Sequence, residues 1–271
     1  MKRESSLRAL VVVMLVVGVC SLLVSMAVVL LRPLQQDNRA LEQARNVVQL
    51  LGGPAQALNA NDEQLLKVFR ALDARVVDLE SGRFLPGTDA HDLNFASNAS
   101  HSSQETAIPV AEDTARLGFR DRLVTVYLVW DQGALDRIIL PVHGMGMWSE
   151  LRGFVALGPD LNTIADVSIY QQAETPGVGD QITQAEWLAK WRGRKIYDDE
   201  GVPQFAVASG KVESGSATAL HNVDAISGAT VSTDAVTALV RFWFGPWGYQ
   251  SLLENLREHP PQAPVDTGRE P

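Results

Sequence analysis

From Ala9 to Leu31 the sequence runs through 23 residues, rich in Val and Leu, without a single charge. At a helical rise of about 1.5 Å per residue, such a run crosses a hydrocarbon core of roughly 30 Å. A transmembrane helix at 9–31 is therefore expected, with residues 1–8 on one side and the remainder on the other. A cleaved signal peptide would have an apolar stretch of about 7–15 residues, whereas this one continues past the small residues between Ser25 and Ala27. A lipid-modified Cys20 fits poorly, because Val19 precedes it where a small residue is expected. Lys2, Arg3, Arg8 and the terminal amine favour a cytoplasmic N-terminus, although Arg32, Arg39 and Arg45 count against it. The expectation is a single-pass membrane protein with a cytoplasmic N-terminus and its soluble domain on the opposite side of the membrane.

Lys2, Arg3, Arg8 and Arg32 against Glu4 give the first 32 residues a charge of +3, which leaves −12 of the total of −9 on the rest. An acidic soluble part argues against nucleic-acid binding, because phosphate contacts need a basic face. The only cysteine, Cys20, lies within the apolar run, so intrachain disulfides and thiolate clusters are excluded. His91, His101, His143, His221 and His259 have no metal-ligand spacing, and no metal site is expected.

Beyond Pro33 the spacing Leu41, Ala44, Val48, Leu51 predicts an amphipathic helix that Gly52-Gly53-Pro54 ends, a surface suited either to packing or to a partner subunit. Asn61 can cap a second helix carrying Leu65, Val68, Phe69 and Leu72, and a short strand at 76–79 leads to the Ser81-Gly82 turn. Residues 34–80 thus form a helical membrane-proximal segment. Residues 85–118 are polar and aperiodic, and are read as a mobile loop or insertion. Runs at 123–130 and 135–142, joined by Asp131-Gln132-Gly133-Ala134, predict a hairpin; strands at 151–157 and 164–170 follow through another tight turn. Short connections between successive strands imply an antiparallel sheet. Helices at 186–191 and 234–244, the latter closing the fold, flank a strand at 205–208. The predicted class is α+β: one transmembrane helix, then a domain at 81–258 with a mainly antiparallel sheet and flanking helices, then a flexible tail at 259–271.

Three glycine-rich stretches fall where strands or helices end: His143 to Trp148, Glu174 to Gly179, and Asp224 to Thr233. Glycines let backbone approach a ligand and offer unobstructed N–H groups. In the third stretch Ser227, Thr230, Ser232 and Thr233 crowd hydroxyls at a helix start, where unpaired N–H groups attract phosphate. Neither the phosphate-loop lysine nor the dinucleotide-binding glycine spacing is present. These residues by themselves leave ordinary turns and a phosphorylated ligand both open.

The segment Asp224-x-x-Ser227-Gly228-Ala229-Thr230 resembles the flavinylation motif of the FMN-binding domain family. The resemblance extends over nearly the whole chain to the C-subunit family of Na+-translocating NADH:quinone reductases. It is carried by Val28-Val29-Leu30-Leu31-Arg32-Pro33, His143-Gly144-x-Gly146-x-Trp148-Ser149, Gly153-Phe154-Val155-Ala156-Leu157-x-x-Asp160-Leu161-Asn162-Thr163 and Glu174-Thr175-Pro176-Gly177-Val178-Gly179. The related G-subunit family of Rnf electron-transport complexes shares the anchor, the Glu-Thr-Pro-Gly loop and the flavin threonine, but the 143–148 pattern is not expected there. Met145 stands where the family often has lysine, Val178 where it usually has leucine, and Phe244 to Tyr249 only approximates the family's C-terminal motif.

The resemblance implies FMN joined to Thr230 through a phosphoester by a separate flavin transferase. Asp224 would serve transferase recognition. Ser227, Gly228, Ala229, Val231, Ser232, Glu174, Thr175, Gly177, Val178, Trp148 and Gly146 would surround the flavin, with Ile226 as a further wall. It also implies no catalytic residue of the chain's own and a place among other subunits of a membrane redox complex. That complex would relay electrons from NADH toward ubiquinone, coupled to Na+ export. Alternatives are an Rnf-type flavin subunit or an anchored periplasmic ligand-binding module. Ser214-Gly215-Ser216-Ala217-Thr218 mimics the motif, but it has no aspartate three residues before Ser214 and one residue too many before Thr218.

Overall fold

The structure is a computed structural model that describes residues 6–52, 61–86, 90 and 105–264. Lys2, Arg3, His91, His101, the Gly53-Pro54 stop and residues 265–271 of the tail lie outside the described residues. The chain divides into two units, residues 1–43 and 44–271. The first helix, α1 (Ser6–Gln49), starts in the first unit and gives its last turns to the second. Its segment Arg8–Arg32, in which an 18-residue window reaches a mean hydropathy of 2.8 with none of it buried, is long and apolar enough to cross a membrane. Pro33 lies within this helix rather than at its end.

In the second unit α2 (Asp62–Arg70) begins where Asn61 accepts a hydrogen bond from the Gln64 N–H at 2.8 Å, as its capping position predicts. Then follow β1 (Asp73–Asp78), β2 (Arg83–Phe84), β3 (Glu105–Ala107), β4 (Phe119–Asp121), β5 (Leu123–Asp131), β6 (Ala134–Met145), β7 (Glu150–Leu157) and β8 (Ile164–Gln171). Six of these form one antiparallel sheet in the order β2-β1-β5-β6-β7-β8. The β5–β6 turn places Gln132 and Gly133 at φ 49° and 84°. Both values lie in the left-handed region that two-residue hairpin turns require.

Alternation along the strands sends residues to two cores. On one face Ala44, Val47 and Val48 of α1 and Leu50 just after it, with Leu65 and Phe69 of α2, bury Tyr127, Ile139, Phe154 and Ala156. The apolar stripe at 44–50 is therefore consumed by the chain's own sheet and is not a partner surface. The opposite face carries Ile138, Leu140, Val142 and Val155. It is covered by α3 (Ala185–Leu188) and the helical turn Ala189–Trp191, and by α4 (Thr230–Trp243) and α5 (Gln250–Glu258). A two-stranded parallel ribbon, β9 (Ala206–Val207) with β10 (Asn222–Val223), lies between α3 and α4 in the chain.

Strand β5 stops pairing with β6 at Ile139, yet β6 continues to Met145. Along the extension the Tyr249 hydroxyl donates to Pro141 O at 2.6 Å, the Trp243 indole N–H to His143 O at 2.6 Å, and the Met145 N–H to Ala115 O at 2.9 Å. Two side chains and the Ala115 carbonyl thus satisfy the backbone that a neighbouring strand would otherwise pair. The tight Trp243–Tyr249 turn requires Gly248, where a Cβ would lie 2.0 Å from Trp243 O.

Three expectations change. The helix expected at 234–244 starts four residues earlier and is not the last: α5 buries Leu252, Leu253 and Leu256. It has only nine residues, too few turns for its period to stand out. Residues 143–145 are strand rather than loop. Within 85–118, β3 pairs with β4 just beyond that stretch, and Ile108 and Ala115 are buried in the core.

Candidate functional site

The three glycine-rich stretches meet at one end of the sheet. The first is the turn between β6 and β7, the second leads from β8 into the helical turn Gly179–Thr183, and the third enters α4. Glu174 joins them. Its Oε1 accepts from the Trp148 N–H at 3.1 Å, and its Oε2 from the Met147 N–H at 3.2 Å and the Ser232 hydroxyl at 2.5 Å. Gly146 and Gly179 make this possible. A Cβ on Gly146 would stand 2.5 Å from Glu174 Oε1, and one on Gly179 would stand 2.7 Å from Ser232 Oγ.

The residues divide into a floor and a surface. Gly146, Glu174, Ala229 and Ser232 are buried; Trp148, Thr175, Gly177, Val178, Ser227, Gly228, Thr230 and Val231 are exposed. Trp148 is 66% exposed, unusual for so large an apolar ring, and its indole N–H donates to Thr175 Oγ1 at 3.2 Å. Val178 and Val231 add exposed apolar area, and Gly228, at φ 80°, faces Val178. Ile226 does not join this surface: it is 7% exposed and belongs to the core beneath.

Thr230 is the first residue of α4, and no side chain caps this helix. Uncapped N–H groups and the positive end of the helix dipole leave a place for an anion. Thr233 turns away from it, donating to Ala229 O and Thr230 O.

Asp224 is engaged on both oxygens, by Lys190 Nζ at 2.8 Å and the Val212 N–H at 2.7 Å, and its carbonyl accepts from the Trp187 indole. Lys190 foremost, then the Val212 bond, hold its carboxyl below the usual range. Thr218 lies in a separate exposed turn, where its hydroxyl is 3.4 Å from Ser216 Oγ. His143 bonds Glu150 Oε1 at 2.9 Å, and Arg152 takes Glu150 Oε2; among the described residues no cluster of acids, His and Cys is arranged to hold a metal. Residues that sequence reasoning missed are Lys190, Ala115 and Arg116, the last of which donates to the carbonyls of Met145 and Gly146. Nothing local in the sequence marks them, because each acts across a long separation in the chain.

Residues 146–245 match the family model for the FMN-binding domain. The chain is 39% identical to the C subunit of the Na(+)-translocating NADH-quinone reductase of Pseudomonas aeruginosa, over 94% of this chain and 98% of that protein. It belongs to the C-subunit family of these reductases. A second member, from Vibrio alginolyticus, is 35% identical over 89% of this chain and 91% of its own. Among solved structures, NqrC of Shewanella oneidensis superimposes with a TM-score of 0.71 at 29% identity, covering 80% of this chain and 97% of that one. The corresponding protein of Parabacteroides distasonis shares the fold, with a TM-score of 0.58 at 23% identity over 82% of this chain and 96% of that one. The C-subunit resemblance read from the 143–149 and 153–163 patterns is thereby established. In the structure the latter pattern is the end of β7 and a turn in which Asp160 accepts from the backbone of Asn162 and Thr163.

Proposed function

We propose that FMN is joined by a phosphoester to the Thr230 hydroxyl, placed there by a flavin transferase. The chain then serves as an electron-transfer subunit of a Na+-translocating NADH-quinone reductase, on the route from NADH to ubiquinone that is coupled to Na+ export. One observation carries this reading: Thr230, in the residues of the attachment motif, is exposed at the first position of an uncapped helix and is flanked by exposed apolar side chains.

The site fits a flavin phosphate. The first N–H groups of α4 receive the phosphate charge, while Trp148, Val178 and Val231 offer apolar surface to the rings. Thr175 holds the Trp148 ring in place, and Ser227 adds a hydroxyl beside the attachment point. The flavin supplies the electron chemistry when bound. The chain contributes binding and orientation, and no catalytic residue of its own. Asp224 fixes the approach of the motif and is read by the transferase. The N-terminus is cytoplasmic, the helix at 9–31 crosses the inner membrane once, and the soluble domain, which includes α2 and β1, works in the periplasm against the other subunits.

The test is the intact mass of the full chain produced with and without the transferase. The wild type should gain one FMN less one water, and peptide mapping should place it on Thr230. Thr230→Val should gain nothing. An unmodified wild type, or flavin on Thr218, overturns the reading.

A further inference from the structure

Glu174 is 4% exposed, and among the described residues no cation forms an ion pair with it. Its carboxylate is held by neutral donors alone: two backbone N–H groups of the 146–149 turn and the Ser232 hydroxyl of the first turn of α4. Arg116 reaches the same turn but spends its guanidinium on the carbonyls of Met145 and Gly146. Burying a charge without a counter-charge is costly, and three hydrogen bonds plus the nearby helix N-terminus only partly offset it. Two glycines are required to make room for it.

We infer that Glu174 is the positioning residue of the flavin site and also sets its redox poise. This rests on the reading of Thr230 as the FMN attachment point. The carboxylate ties Trp148, on one loop, to Ser232, two residues beyond Thr230, on another. The apolar ring and the attachment hydroxyl are thus registered to each other before any flavin arrives. Reduction adds negative charge to the flavin, and a fixed anion in a poorly solvated floor opposes that gain. Glu174 therefore lowers the midpoint potential of the attached flavin.

Three variants of the full chain, each coexpressed with the transferase, separate the two effects. Glu174→Gln keeps the size and removes the charge, and its amide NH2 turns one backbone N–H acceptor into a donor. The flavin that this variant does load should show a midpoint potential shifted upward in spectroelectrochemical titration. Ser232→Ala keeps the charge and cuts the tie to α4; the potential should stay close to wild type while the fluorescence anisotropy of the attached flavin falls. Glu174→Ala leaves two N–H groups and a hydroxyl unpaired, and loading should fall several-fold. If it does not fold, Glu174→Gln still decides the question. An unchanged or lowered potential in Glu174→Gln, or unchanged anisotropy in Ser232→Ala, overturns the inference. A wild type without covalent flavin overturns the Thr230 reading instead.

Discussion

Lys190 Nζ stands 2.8 Å from Asp224 Oδ2, which pins the first residue of the attachment motif to the helical turn that follows α3. Asp224→Ala removes that pair and also leaves the Val212 N–H without its acceptor. The expected outcome is reduced flavin loading, measured as in-gel flavin fluorescence per mass of protein. Lys190→Ala should reduce it less, because the pair is partly exposed and the Val212 bond survives. Full loading of Asp224→Ala would refute a role for this carboxylate.

Gly179→Ala should damage the site from beneath. The new methyl would lie 2.7 Å from Ser232 Oγ and 2.9 Å from Glu174 Cβ, both fixed by the hydrogen bond between them. Overpacking of this kind costs roughly 1–3 kcal/mol. A lower Tm together with lost flavin loading is expected; wild-type values of both would show that the loop yields freely.

Acid should weaken the domain in a defined window. The Arg122 guanidinium, first among its partners, holds the buried Asp78 carboxyl at about 2. A carboxyl depressed in the folded state adds stability above its unfolded value near 4, and that stability is lost as pH falls through the folded value. The loss should amount to about 1–2 kcal/mol between about pH 4 and pH 2, moderated by the partial exposure of Arg122. Urea unfolding of wild type and Asp78→Asn across that range should show a smaller acid-dependent loss in the variant.

Tyr249→Phe tests the support of β6. The hydroxyl is fully buried, and its removal leaves Pro141 O without this donor. A cost of about 1–2 kcal/mol is expected in urea unfolding. A stability equal to wild type would mean that the carbonyl finds another partner.

Much of the scaffold was legible before the structure. The alternation from Leu123 to Tyr170 and the Gln132-Gly133 turn express local backbone preferences, and the observed strands follow them within a residue or so, apart from the extension of β6 to Met145. The glycine and hydroxyl clusters at 143–148, 174–179 and 224–233 marked, for the same reason, the three stretches that meet at the candidate site. The purpose of its glycines was not legible. Gly146 and Gly179 make room for Glu174 and the Ser232 hydroxyl that it accepts from, and Glu174 finds Ser232 across 58 positions. Lys190 meets Asp224 across 34. Such contacts depend on tertiary packing, which also draws α4 back to Thr230 through hydroxyl-rich residues that favour caps and turns over helix.

The outer half of β6 bears on assembly as well as on support. A bare strand edge invites pairing by any extended segment of another chain. Here the Trp243 indole and the Tyr249 phenol already occupy the carbonyls that such a segment would need. A neighbouring protein that approaches this end of the sheet must therefore recognise side chains, so the contact can be specific and can be released without unzipping a ladder.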